Sequence, residues 1–184
     1  MNIVERVKSM LLSPKTEWPK VAAEPMTAQQ IYVRWVMILA AIGPIATVIG
    51  IGFAFGFGFG LRLAVANYLT TLVMVALVAL VADLLAPHFG GTKDYVAALK
   101  LSAFAYTPAF VAGILHLLGG VGGVLFLIVA LYSWYLFHLG APVLRKAASD
   151  KSLVFTLAVA VAALILGVLF AAAIGMDPAV PGRT

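Results

Sequence analysis

Uncharged stretches divide this chain. From Leu101 to Leu144 there is no Asp, Glu, Lys or Arg, a run of 44 residues. A bilayer core about 30 Å thick takes roughly 20 residues of helix at ~1.5 Å each. The run is therefore too long for one crossing and suits two. Its midpoint falls on Gly119-Gly120-Val121-Gly122-Gly123, where a helix is expected to break. The pattern predicts a helical hairpin buried in lipid.

Read the same way, the whole chain predicts five spans: about Trp35 to Gly56, Leu63 to Leu85, Val96 to Leu118, Val121 to Leu139, and Ser152 to Gly175. The first helix should start earlier, at Thr27, because Thr27 and Gln30 have capping-box spacing. Pro178 and Pro181 stop the last one. Between the first two spans, Phe53, Phe55, Phe57 and Phe59 alternate with small residues at a strand-like period of two. A lone strand in hydrocarbon would leave its backbone unpaired, so Gly56-Phe57-Gly58-Phe59-Gly60 reads as an aromatic turn at the outer interface. Ahead of the spans, Ile3, Val4, Val7, Met10 and Leu11 fall on one helical face, with Glu5, Arg6 and Lys8 largely elsewhere. That short amphipathic helix can lie on the inner leaflet or pack against the bundle. Pro14 ends it, and Trp18 is placed to anchor at the headgroups.

Composition fits this pattern. Of 184 residues, 64% are hydrophobic and 10% charged, where a soluble domain carries about 25% charged residues. The fold class is an all-α membrane protein, a five-helix transmembrane bundle with a short amphipathic N-terminal helix. Residues 1–33 form a cytoplasmic amphipathic segment, 34–176 the five-span domain and 177–184 a short outside tail. The net charge of +5 does not indicate nucleic acid, because the basic residues sit at the ends of apolar runs, where they set topology and meet anionic headgroups. With the N-terminus inside, Arg6, Lys8, Lys15, Lys20, Arg34, Lys93, Lys100, Arg145, Lys146 and Lys151 are cytoplasmic and only Arg62 and Arg183 are outside. This is a strong positive-inside bias. Glu5, Lys15, Glu17, Lys20 and Glu24 break up the N-terminus, which does not read as a signal peptide. With no cysteine, disulfide and thiol chemistry are excluded.

The motif Leu12-Ser13-Pro14-Lys15-Thr16-Glu17-Trp18, then Glu24, resembles the start of the bacterial branch of the YIP domain family. Tyr95-Val96-Ala97-Ala98-Leu99-Lys100, followed by Ala105-Tyr106-Thr107-Pro108, is similar to that family's signature in the third span. The resemblance covers roughly residues 10 to 175. It implies five spans, a cytoplasmic N-terminus, an outside C-terminus and a bacterial inner membrane, with a biochemical role that is unsettled for bacterial members. Eukaryotic members interact with Rab-type GTPases. Here Asp83-Leu84-Leu85-Ala86-Pro87 departs from their Asp-Leu-Tyr-Gly-Pro signature and follows the second span instead of preceding the first, so GTPase binding is not carried over.

Ionisable groups within spans are costly and mark candidate sites. Asp83 and Lys100 each lie about one turn from the inner interface. They can pair and bracket a cavity, or each can snorkel to water alone. Pro108 frees the carbonyl of Phe104, and Thr107 is placed to satisfy it. The site can be an ordinary kink or a broken-helix binding site, and Pro44 poses the same choice. A transport path would join Asp83, Lys100, Tyr106, Pro108 and Asn67. A membrane-surface or partner contact would use Arg6, Lys8 and Trp18. His88, His116 and His138 lack metal-ligand spacing, and no nucleophile-elbow, zinc-protease or phosphate-loop motif is present, so neither cofactor nor metal is expected. Small residues recur at intervals of four at Gly52, Gly56 and Gly60, at Gly119 and Gly123, and at Gly167, Ala171 and Gly175. Such rows let helices approach closely, within the bundle or between copies. The expected partners are the lipid bilayer, a membrane or cytoplasmic protein, and possible homo-oligomerisation. The leading reading is a membrane-organising or partner-binding protein. The alternative is a small transporter or channel.

Overall fold

The computed structural model describes residues 2–145 and 151–173. Lys146, the expected end of the last span at Gly175, and the tail 177–184 lie outside the described residues. Among those described, all regular structure is helical. Five segments are long and apolar enough to cross a membrane: Ala28–Phe55, Phe57–Phe89, Tyr95–Leu118, Val121–Arg145 and Ser152–Phe170. The all-α, five-span fold stands as expected, with shifted boundaries. They are preceded by α1 (Ile3–Leu12) and α2 (Pro14–Ala23).

The first span begins as the spacing requires. Thr27 Oγ1 accepts from the Gln30 N–H at 3.2 Å, and the Gln30 side chain accepts from the Thr27 N–H at 2.9 Å, which satisfies two orphan donors. The helix widens to a π-turn over Tyr32–Val36 and is interrupted at Ala41, just before Pro44. It ends at Phe55.

The turn that follows is tighter than the Phe/Gly run suggests. Gly56 alone breaks the helix, at φ 101°, and the next helix begins at Phe57 instead of Leu63. A positive φ needs no Cβ in the way, so Gly56 carries the whole turn. Gly52 and Gly60 then face each other across it. A Cβ on Gly60 would fall 2.7 Å from the Gly52 backbone. The four phenylalanines of this turn remain exposed.

The third and fourth spans form the expected hairpin. The break falls at Leu118–Gly119, at the near edge of the glycine cluster, and Gly119–Arg145 is one helix. The third span tightens to a 3₁₀ helix over Gly113–Leu118, and the chain turns so closely that a Cβ at Gly122 would fall on the Leu115 carbonyl. Gly122 serves close approach after the turn, and so the cluster need not itself break the helix. The fourth helix also runs past Leu139 to Arg145, through Pro142.

Two N-terminal features differ from a free surface segment. The apolar face of α1 packs on the bundle: Met10 is fully buried, and Ile3 and Val7 lie against the core. Trp18 is 1% exposed, which corrects the expected headgroup anchor. Its ring sits against the fourth helix at Gly140, where a Cβ would come within 2.7 Å of both Trp18 and Leu101. An indole this large stabilises more by filling that notch than by lying at an interface.

Candidate functional site

Apart from Arg62, the described charged residues gather at one end of the bundle, opposite the Gly56 turn. Asp83 and Lys100 do not pair with each other. Asp83 Oδ1 accepts from Arg145 Nη2 at 2.9 Å and from the Asp94 N–H at 2.7 Å, and Arg145 also donates to the Asp94 carbonyl. This knot ties the end of the fourth helix to the loop between the second and third. Arg145 and Asp83 are 0% and 7% exposed at the side chain, so each charge depends on the other. Lys100 is spoken for separately. Its ammonium donates to the carbonyls of Val21, at 3.2 Å, and Glu24. These are the carbonyls left free where α2 ends, so Lys100 caps α2 from the third span.

Arg6 binds Glu17 at 3.3 Å and Glu24, and its guanidinium lies 5.9 Å from the Phe104 ring centre. Lys20 adds a second cation to Glu17 at 3.1 Å. Of the expected surface contacts, Arg6 and Trp18 are thus drawn inward, and Lys8 is exposed.

The kink at Tyr106 behaves as the proline predicts. Thr107 Oγ1 donates to the Phe104 carbonyl at 2.7 Å and accepts from Trp35 Nε1 at 3.3 Å. The N–H of Ala109 donates to Ser133 Oγ at 3.2 Å. Both backbone groups displaced by the kink find side-chain partners, as hydrocarbon demands. Trp35 stacks on Phe104 at 4.5 Å, which fixes the kink against the first span.

Beyond the kink, toward the Gly56 end, lies a cleft of about 730 Å³ between the spans. Tyr106 and Asn67 both line it; Asp83, Lys100 and Pro108 do not. The imagined single polar path is therefore divided. Leu101, Ser102, Ala103, Phe104 and Ala105, all 1% exposed or less, fill the third span between its two halves. Gly167 also lines the cleft, with Met74 4.0 Å from where its Cβ would be, so this member of the last small-residue row faces inward.

A family model, the Yip1 domain, matches residues 8–172. The chain belongs to the Yip1 domain family. No curated protein and no solved structure matches it significantly. In this Yip1 chain, the two motifs that carry the resemblance have structural jobs. Leu12 to Trp18 forms the tip of the α1–α2 hairpin and ends on the buried Trp18, and Tyr106-Thr107-Pro108 forms the kink that floors the cleft.

The histidines are dispersed. His88 is exposed. His138 Nδ1 is 3.1 Å from Ser152 Oγ, and His116 Nδ1 is 3.4 Å from Thr47 Oγ1. Sequence reading missed Arg145 as the partner of Asp83. Its one signal was position, the first charge after the long uncharged run.

Proposed function

We propose that this Yip1-family protein is a non-enzymatic, membrane-organising or partner-binding protein of a bacterial inner membrane, with its N-terminus cytoplasmic and its C-terminus outside. In this reading residues 1–33 are the cytoplasmic contact segment, 34–176 the membrane domain and 177–184 an outside tail. The observation that carries it is how the charges are sorted. Glu17 and Asp83 are buried together with Lys100 and Arg145, whereas Lys8, Lys15, Lys20, Arg34, Lys93 and Lys151 are exposed on the same half of the molecule, against exposed Glu5 and Asp94. The excess of exposed cations leaves a basic outer surface. Such a surface suits anionic headgroups or an acidic partner, at about 1 kcal/mol per cation near the membrane.

Two measurements test the reading. An alkaline phosphatase fused at the C-terminus is expected to be active and a cytoplasmic reporter there inactive, because ten of twelve basic residues then lie inside. The reverse pattern would invert the topology. Purified protein should also retain anionic lipid in excess of its share in the membrane. The variant Lys8→Gln/Lys15→Gln/Lys20→Gln should lose at least half of that excess with unchanged thermal stability. Equal retention would remove the basic surface as the contact.

A small transporter or channel is the second reading, because Asn67 and Tyr106 do share a cleft. Against it stands the packed core that separates the cleft from Lys100. Proteoliposome flux of small solutes above background would favour it.

A further inference from the structure

The cleft goes beyond that reading. It lies between the spans, at the depth where hydrocarbon surrounds the protein, yet it displays polar groups. Asn67 sits four residues from the midpoint of the helix Phe57–Leu85, about 6 Å along it. Its carbonyl oxygen accepts from Thr71 at 3.3 Å, while its amide N–H groups have no partner among the described residues. The hydroxyls of Thr70 and Tyr106 have none either. At this depth each unsatisfied group costs several kcal/mol, unless something occupies the cleft.

His116 adds an imidazole. Thr47 Oγ1 donates to the Gly43 carbonyl at 3.0 Å, and His116 Nδ1 lies 3.4 Å from the same oxygen; a ring nitrogen donates or accepts according to its tautomer. The cleft thus offers amide and hydroxyl groups from Asn67, Thr70 and Tyr106 and an imidazole from His116. Among the described residues no Asp, Glu, Lys or Arg lines it, so an ionic head would find no counter-charge among them. The rest of the wall is apolar and aromatic, Phe110 and Phe126 included. Asn67 is exposed, so the cleft is open at its edge, and in a bilayer that edge meets acyl chains.

We propose that the cleft binds an uncharged lipid-soluble molecule whose carbonyl or hydroxyl head reaches Asn67, Tyr106 and His116 while its apolar body lies against the aromatic wall. Isoprenoid quinones and neutral acylglycerols share this chemistry. A volume of 730 Å³ falls in the range of small-molecule sites and suits a ring or glyceryl head with part of a chain.

The test uses the full chain in nanodiscs. Decyl-ubiquinone and 1-oleoylglycerol are titrated separately, and bound ligand is counted by native mass spectrometry. Saturable one-to-one binding of either probe is expected, and which one binds identifies the source. Gly123 lines the cleft with open space around its missing Cβ, so Gly123→Phe starts a bulky side chain in free volume at the cleft. It should weaken binding more than tenfold. Tyr106→Phe and Asn67→Ala remove hydrogen bonds without adding bulk, and each should weaken it three- to tenfold. Circular dichroism and a monodisperse elution profile establish that each variant is folded. Binding of neither probe overturns the proposal. So does binding that Gly123→Phe leaves unchanged, since the ligand would then sit on the outer surface.

Discussion

Asp83→Leu will destabilise the protein by about 3–5 kcal/mol, the usual cost of leaving a buried charge without its partner. Arg145 would stay behind with its side chain fully buried and, among the described residues, no acceptor at its Nε. Arg145→Met should cost a similar amount, because among the described residues Asp83 would keep only the Asp94 N–H. The double variant should be far less damaged than the sum, since two apolar side chains of similar volume can pack where the pair was. A coupling of about 2 kcal/mol is expected from a double-mutant cycle on unfolding in detergent. The same cycle on Asp83 and Lys100 should be additive within about 0.5 kcal/mol, because the two bind different partners. Additive behaviour in the first cycle would mean that the knot does not hold the fourth helix.

Gly113→Val is the second large effect. A Cβ there would come 2.7 Å from the Cα and 2.8 Å from the N of Gly43. Both atoms are backbone, so no rotamer change relieves the clash and the first and third spans must part. Overpacking of this kind costs about 3 kcal/mol. Separating these helices would also reshape the cleft, which both glycines line. Gly58→Ala provides the contrast. Its Cβ would meet nothing within 4 Å, and in a helix the change should be neutral or stabilise by up to ~1 kcal/mol. If thermal unfolding ranks the two variants equally, close helix approach is not what Gly113 provides.

How much of this was legible depends on direction. Positions along a helix were readable. The uncharged run predicted two crossings, Thr27 and Gln30 predicted their cap, and Pro108 with Thr107 predicted which carbonyl is freed and what satisfies it. Each of these needs only contacts within a few residues. Neighbours around a helix were not readable. Asp83 could have met any cation near the inner interface, and hydropathy does not say that the fourth helix ends beside it. Trp18 was misread for the same reason. An amphipathic aromatic suits an interface by itself, and only the notch at Gly140 makes burial better. In lipid almost every face of a span is apolar, so the signal that orients helices in soluble proteins is weak. The cleft was half legible. Asn67 and Tyr106 stood out as polar groups in spans, but joining them to Asp83 and Lys100 required distances that sequence does not hold.

The α1–α2 hairpin has a mechanical consequence for the bilayer. Its tip mixes polar Ser13, Lys15 and Thr16 with Leu12 and Pro14 beside Tyr132 and Tyr135, and the Tyr132 hydroxyl donates to the Leu11 carbonyl at 2.7 Å. Tyr132 lies about 20 Å of helix from Arg145. On the flank of the fifth helix, exposed Leu153, Val154 and Leu157 begin the greasy belt within its first two turns. On the hairpin flank Leu12 carries the apolar surface out to the hairpin tip, 80% exposed. The hairpin and the fourth helix therefore share one outward face, and a change in bilayer thickness, at fractions of a kcal/mol per Å of mismatch, would bear on both together.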